Sequence, residues 1–190
     1  RSTRSSDVSI NVDQQETLAP VSTSAPHSTK RKWYESLKIV TGSWDKTIRY
    51  WSWQENTPKI LRGHMKSVTT VVSHRVHNND RQMPLLISGS LDKTCIIWDM
   101  EKLDVIRVLS GHQEKITMVR VCDQGTRSPP LVVTASEDKT VIIWDLLTGR
   151  QLRCFPHNSK VVALDFYRLE GGLMAVTGES SGQVNVWNML

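Results

Sequence analysis

Gly89-Ser90-Leu91-Asp92-Lys93-Thr94-Cys95-Ile96-Ile97-Trp98-Asp99 returns, little changed, 46 residues later as Ala135-Ser136-Glu137-Asp138-Lys139-Thr140-Val141-Ile142-Ile143-Trp144-Asp145. An earlier copy reads Gly42-Ser43-Trp44-Asp45-Lys46-Thr47-Ile48-Arg49-Tyr50-Trp51-Ser52, and a worn one, Gly178 to Asn188, ends the chain. The tryptophans that anchor the copies, Trp51, Trp98, Trp144 and Trp187, are 47, 46 and 43 residues apart. A fixed period in that range means a repeated supersecondary unit that hides its apolar faces only against its neighbours.

Within a unit the pattern is short and β-rich. In the second copy, β-branched residues from Ser67 to Ser73 predict an inner strand, and the polar run His74 to Met83 predicts a loop. Leu85 to Ser90, Thr94 to Trp98 and Val105 to Leu109 predict three more strands, with turns at Leu91 to Lys93 and Asp99 to Lys102. The third copy predicts strands near 116–121, 131–136, 140–144 and 151–155, with a second long loop at 123–130. Pro84, Pro129 and Pro130 stand where loops re-enter strands, where a missing N–H costs least. The first unit lacks a Gly-His and an inner strand, and the fourth lacks its outer strand. Two whole units flanked by two partial ones give about fourteen strands. No 3.6-residue periodicity persists, and no helices alternate with the strands, so helical and α/β folds are excluded.

The ends differ from the middle. Residues 1–32 hold eleven Ser or Thr, two Pro and no aromatic residue, too little apolar area to offset the entropy of ordering. They predict a disordered leader, and its basic end, Lys30-Arg31-Lys32, is too short to carry a nucleic-acid or localisation claim. The β-repeat domain is expected to span 33–190. A first residue Arg1, and an end at Leu190 three residues after Trp187, lead us to expect a chain cut at both ends.

Net charge is +5, of which the region from Ser36 onward carries +4, a mild excess expected of a solvated surface. Cys95, Cys122 and Cys154 are odd in number and lack metal-type spacing, which suits a reducing, intracellular setting, cytoplasmic or nuclear. No apolar run approaches the roughly 20 residues of a membrane span, and no segment has the order of a signal peptide.

These residues resemble the WD40 (Trp-Asp) repeat family of β-propellers, here as a partial propeller. The resemblance rests on Gly63-His64 with Trp98-Asp99 and Gly111-His112 with Trp144-Asp145, each pair enclosing Asp-Lys-Thr, and it covers about Leu37 to Asn188. It implies hydrogen-bonded tetrads. In the second unit these are His64, Asp92, Trp98 and either Ser88 or Ser90. In the third they are His112, Asp138, Trp144 and either Thr134 or Ser136. A buried imidazole and indole each need a partner for an N–H, and a turn aspartate can accept several bonds. The first unit has Asp45 and Trp51 without a matching histidine, since His27 is too close. The fourth keeps His157 but has Pro156 for glycine and Ser181 for aspartate, so its tetrad is expected to be weak or absent.

His and Asp residues that recur at one period are structural, because a catalytic site is built once and a structural unit is built in every repeat. His74, His77 and Asp80 are too sparse for a metal site. No phosphate loop, nucleophile elbow or catalytic carboxylate pair occurs. An enzyme is therefore not expected, nor a cofactor. The resemblance implies a protein–protein scaffold whose partner face is lined by Trp44, Leu91 and Glu137, each before a turn aspartate. Ser67, Lys115 and Lys160 follow the Gly-His position on that face, with Thr69 and Thr117 beside them. Trp44 and Leu91, flanked by Lys46 and Lys93, would suit a peptide with an apolar anchor and acidic flanks. Two alternatives differ in class: a nucleic-acid-binding propeller using the basic face, and the accessory domain of a larger signalling enzyme or ubiquitin-ligase adaptor. No membrane partner is expected.

Overall fold

The computed structural model describes residues 10–12, 38–52, 55–78, 81–123, 129–169 and 172–188. Every regular element among them is a β-strand, and the strands form four antiparallel sheets, or blades. Blade 1 is β1 (Ile10–Val12), β2 (Lys38–Gly42), β3 (Thr47–Ser52) and β4 (Lys59–Arg62). Blade 2 is β5 (Val68–Asn78), β6 (Arg81–Ser90), β7 (Thr94–Asp99) and β8 (Asp104–Ser110). Blade 3 is β9 (Ile116–Cys122), β10 (Leu131–Ser136), β11 (Thr140–Asp145) and β12 (Gln151–Pro156). Blade 4 has three strands, β13 (Val161–Leu169), β14 (Gly172–Glu179) and β15 (Val184–Asn188). Each sheet runs in chain order, strand beside next strand.

The third strand of each central blade shows why the repeat needs neighbours. Cys95 to Trp98 and Val141 to Trp144 are buried on both faces, one face meeting the preceding blade and the other the following one. Such a strand reads as a continuous apolar run, not as an alternation. The outer strands β8 and β12 have a free side and are mostly exposed. Three apolar clusters fill the three interfaces. Val40, Ile48 and Leu61 of blade 1 meet Val68, Leu86 and Trp98 of blade 2. Ile87, Ile97 and Leu109 of blade 2 meet Ile116, Val119 and Trp144 of blade 3. Val133, Val141 and Ile143 of blade 3 meet Val161, Leu164 and Ala175 of blade 4. Each valine, leucine or isoleucine among them contributes about 1.5–3 kcal/mol on burial.

The inner strands approach one another closely. A Cβ on Gly89 would lie 2.6 Å from Ile116 Cγ2 and 2.9 Å from Val119, and one on Gly42 2.7 Å from Val68 Cγ1. Thr69 and Thr117, expected beside the partner face, tie this contact. The Thr69 hydroxyl reaches the Ile116 carbonyl at 2.7 Å, and Thr117 reaches Val161 at 2.7 Å.

Two expectations are corrected. His74 to Met83 is not a loop: β5 and β6 run through it as a long hairpin, pairing from Val68–Ser90 to Asn78–Arg81. Pro84 therefore lies inside β6. Met100 N–H donates to its carbonyl at 3.0 Å, beyond the last β7 partner, Asp99. The N–H that proline lacks would point the same way, so no bond to β5 is lost. Ile10–Val12, inside the segment read as unstructured, forms a strand opposite Ile39 to Thr41. The rest of 1–32, with His27 and Lys30-Arg31-Lys32, lies outside the described residues, as do Asp80 and 124–128.

Candidate functional site: buried tetrads beneath a turn-lined face

In blade 2 the imidazole of His64 stands between a carboxylate and a hydroxyl. His64 Nδ1 is 2.9 Å from Asp92 Oδ2, and Nε2 is 2.8 Å from Ser88 Oγ. Trp98 Nε1 donates to the same Ser88 Oγ at 2.9 Å. The donors fit in one direction: indole to serine, serine hydroxyl to Nε2, and Nδ1–H to the aspartate, which fixes a neutral histidine. Blade 3 repeats this, with His112 at 2.8 Å from both Asp138 and Thr134, and Trp144 donating to Thr134 at 2.9 Å.

The fourth members are thus Ser88 and Thr134, not Ser90 and Ser136. Ser90 and Ser136 share the same faces two residues on, where each hydroxyl donates to a carbonyl, of Lys66 and of Glu114, and receives the N–H of Asp92 or Asp138. Gly63 and Gly111 lie against the indoles; an added Cβ would come within 2.8 Å of Trp98 and 2.9 Å of Trp144.

Each aspartate accepts four bonds. Asp92 Oδ1 takes the N–H and hydroxyl of Thr94, and Oδ2 takes His64 and the N–H of Met65. Burial alone would raise its pKa, but these donors outweigh it and hold the carboxyl below its ordinary value, as they do at Asp138. Burial pushes His64 and His112 below the ordinary imidazole value, against the pull of their aspartates.

Blade 4 keeps three members of the tetrad and lacks the carboxylate-to-histidine bond, as a weak tetrad would. His157 Nε2 lies 2.8 Å from Thr177 Oγ1, to which Trp187 donates at 3.0 Å. His157 Nδ1 turns to the Phe155 carbonyl. Glu179, in the place of Ser90, brings a carboxylate to the neighbouring turn instead, accepting the N–H and hydroxyl of Ser159 and the amide of Asn185. Blade 1 keeps Asp45, whose Oδ1 accepts Thr47 and whose Oδ2 accepts Arg49 at 2.6 Å. The Thr47 and Arg49 donors hold Asp45 well below the usual carboxylate range.

The aspartates fold the turns that carry the candidate face. Lys46, Lys93 and Lys139, each after a turn aspartate, have φ of 73°, 73° and 67°, and Gly182 takes the same place in blade 4. That left-handed conformation reverses the chain and turns outward the residue before each aspartate.

The six residues expected at the partner face form two neighbouring groups. The Ser67 hydroxyl donates to the Trp44 carbonyl at 3.1 Å, and Leu91 N–H to the Ser67 carbonyl at 3.0 Å. Trp44 is 58% exposed. In the second group, Glu137 receives both Lys115 and Lys160 at 2.9 Å, which joins blades 3 and 4 and leaves one net positive charge. Both lysines hold the Glu137 carboxyl below its ordinary value.

Two features went unread in the sequence. Met65, after His64, is 76% exposed at the same turn; its place directly after Gly-His was the available signal. Asp99 and Asp145, the acidic halves of Trp-Asp, each accept two N–H groups of the following turn, Glu101 and Lys102 or Leu147 and Thr148. An aspartate opening a polar turn was the signal there. Among the described residues no cluster of His, Cys, Asp or Glu could hold a metal ion, and no helix is long and apolar enough to cross a membrane. His74 lies on β5, while the His77 side chain falls outside the described ones.

The family model for the WD domain, G-beta repeat, matches residues 17–52, 55–99 and 103–145. The chain belongs to the WD40 family. Among WD40-containing relatives, it is 40% identical over 57 residues to Cell division control protein 4 of Saccharomyces cerevisiae, covering 30% of this chain and 6% of that protein. It is 40% identical over 85 residues to Nuclear distribution protein PAC1 of Yarrowia lipolytica, covering 44% of this chain and 18% of the relative. The chain thus spans a small part of these proteins' length. The crystal structure of the computationally designed Ika4 protein superposes with a TM-score of 0.65 at 29% identity, over 80% of this chain and 86% of that one. This WD40 chain is therefore an all-β array of propeller blades whose repeat type serves as a protein-interaction scaffold.

Proposed function

We propose that this WD40 array is a non-catalytic scaffold that receives a protein partner, a peptide segment or a domain, on the face bearing Trp44, Ser67, Leu91, Lys115, Glu137 and Lys160. The observation that carries it is Trp44, an indole 58% exposed on a rigid turn, where water contact is costly and a partner's apolar side chain would relieve it. The blade fixes that turn through Asp45, so little ordering entropy is lost on binding. The partner carries an apolar anchor for Trp44 and Leu91 and acidic residues for the flanking Lys46 and Lys93. Lys115 and Lys160 already share Glu137, which argues against a nucleic-acid surface, where unpaired cations would be needed. The array forms a domain over 33–190 that also takes in Ile10–Val12 of the Ser/Thr-rich segment, and resides inside the cell, where its cysteine thiols stay reduced. It needs no cofactor.

The test is a displayed peptide library panned against the wild-type chain and Trp44→Ala. Enriched peptides with an apolar residue beside acidic ones, lost on Trp44→Ala, would support the site. Equal enrichment on both proteins would remove it.

A further inference from the structure

The interface between blades 1 and 2 departs from the other two at three matching places, which strand register identifies. Lys38 pairs with Ser52, the residue after Trp51, as Leu85 and Leu131 pair with Asp99 and Asp145 after Trp98 and Trp144. Tyr50, the residue before Trp51, stands where Ile97 and Ile143 stand before their tryptophans. Ser73 pairs with Leu86, across from Trp98, as Val121 pairs with Val132 and Phe166 with Ala175. Leu85, Ile97 and Val121 fill the interface of blades 2 and 3, and Leu131, Ile143 and Phe166 fill that of blades 3 and 4. Between blades 1 and 2 the same places hold an ammonium, a phenol and a small hydroxyl.

The apolar volume lost there is open space. A cavity of about 70 Å³ is lined by Lys38, Tyr50 and Ser73 together with Val40, Leu86 and Arg75. Val40 and Leu86 are buried and give it an apolar floor, while Lys38 and Arg75 are exposed at its rim. Lys38 Nζ lies 5.9 Å from the Tyr50 ring centroid, a cation–π contact that keeps the ammonium beside the opening. Among the described residues no carboxylate lines the cavity. It opens at the strand ends away from the Lys46 and Lys93 turns, so it is separate from the Trp44 face.

We propose that this cavity binds a branched aliphatic carboxylate, the chemistry shared by a chain-terminal leucine or valine and by a free short-chain acid. An apolar cavity of about 150 Å³ admits benzene, so roughly half that volume takes an isopropyl or isobutyl group. The branched group rests on Val40 and Leu86, where it displaces water from an apolar floor. Val40 and Lys38 are alternate residues of one strand, about 7 Å apart, a span that one such residue or acid covers with its methyls and its carboxylate. The carboxylate then accepts from the Lys38 ammonium, with the Arg75 guanidinium beside it, as charge-assisted bonds.

An amide-resolved NMR titration of the whole chain tests this with two probes, isocaproate and the peptide acetyl-Ala-Ala-Leu with a free C-terminus. Saturable shifts at Val40, Ser73 and Leu86 are expected, and the corresponding amides, isocaproamide and the amidated peptide, should bind about tenfold more weakly or worse. Ser73→Val supplies the residue type found at Val121, so the variant should keep its β circular dichroism and lose the shifts because the cavity is filled. Lys38→Leu, which copies Leu85 and Leu131, should bring the carboxylates to the level of the amides. Tighter binding of the peptide than of isocaproate identifies a protein terminus as the source, and equal binding identifies a free acid. No saturable shift with either probe would overturn the site. So would amides that bind as well as acids, or binding unchanged by Ser73→Val.

Discussion

Arg49 lies 2.6 Å from Asp45 Oδ2, the carboxylate oxygen that accepts a histidine in the next two blades. The turn is preserved because Oδ1 still receives Thr47, as it receives Thr94 and Thr140 elsewhere. What changes is what lies beneath. Trp51 reaches Thr41 only at 3.4 Å, and no imidazole bridges hydroxyl and carboxylate among the described residues.

Aspartate truncation should therefore cost unequal amounts. Asp138→Ala orphans the His112 and Gln113 N–H groups and should destabilise by about 1–3 kcal/mol. Asp45→Ala frees a half-exposed Arg49 that water can solvate, and should cost less. Urea denaturation of both variants provides the comparison; equal losses would contradict the role given to the histidine.

Thr134→Val keeps the shape of the side chain and removes its oxygen. The Trp144 indole N–H and His112 Nε2 then face each other with no group between them, and a loss of about 1–3 kcal/mol is expected. Ser136→Ala, two residues on at the turn, should cost less, because its partners lie nearer to solvent. Thermal unfolding of the pair distinguishes the two positions.

Acid should weaken the blades in two stages. His64 and His112 titrate lower in the folded chain than their ordinary value of 6.5, so the unfolded chain binds more protons below that pH. Their contribution is full above pH 6.5 and declines as pH falls through the folded values. Asp92 and Asp138, also lowered, from 3.8, add a second loss at more acid pH with the same sign. Chemical denaturation at stepped pH should show stability falling from neutrality downward. A rise between pH 7 and 5 would contradict the neutral buried imidazoles.

Gly89→Ala places a methyl where Ile116, Thr70 and Val119 converge, and should destabilise by about 1–3 kcal/mol through overpacking. Among the described residues the matching Gly178 in blade 4 meets only Ala163, at 3.2 Å, so Gly178→Ala in this chain should cost less. Denaturant midpoints read both.

Much of this was readable in advance, for reasons that lie in particular residues. Asp92-Lys93-Thr94 and Trp98 are local signals, since turn chemistry and strand burial act over a few positions, and the period then fixed the sheets. Ser88 and Ser90 could not be told apart, because alternate residues share a face and only register brings Ser88 under the indole. Glu179 hid in the same way. Its carboxylate sits two residues before the place it serves, and one extra methylene lets it reach Ser159. The 74–83 hairpin was misread because its polar composition resembles a loop, while pairing across β5 and β6 decides its form.

The threonine ties set where the array can give. Thr69 and Thr117 lash inner strand to inner strand, whereas the outer strands β8 and β12 stand largely in water. The blades are fastened like the sticks of a fan at its rivet. Any change in the angle between two of them opens mainly at the rim and hardly at the pivot. A partner seated near the inner ends meets an almost fixed template, while one gripping the outer strands must follow a surface that spreads and closes.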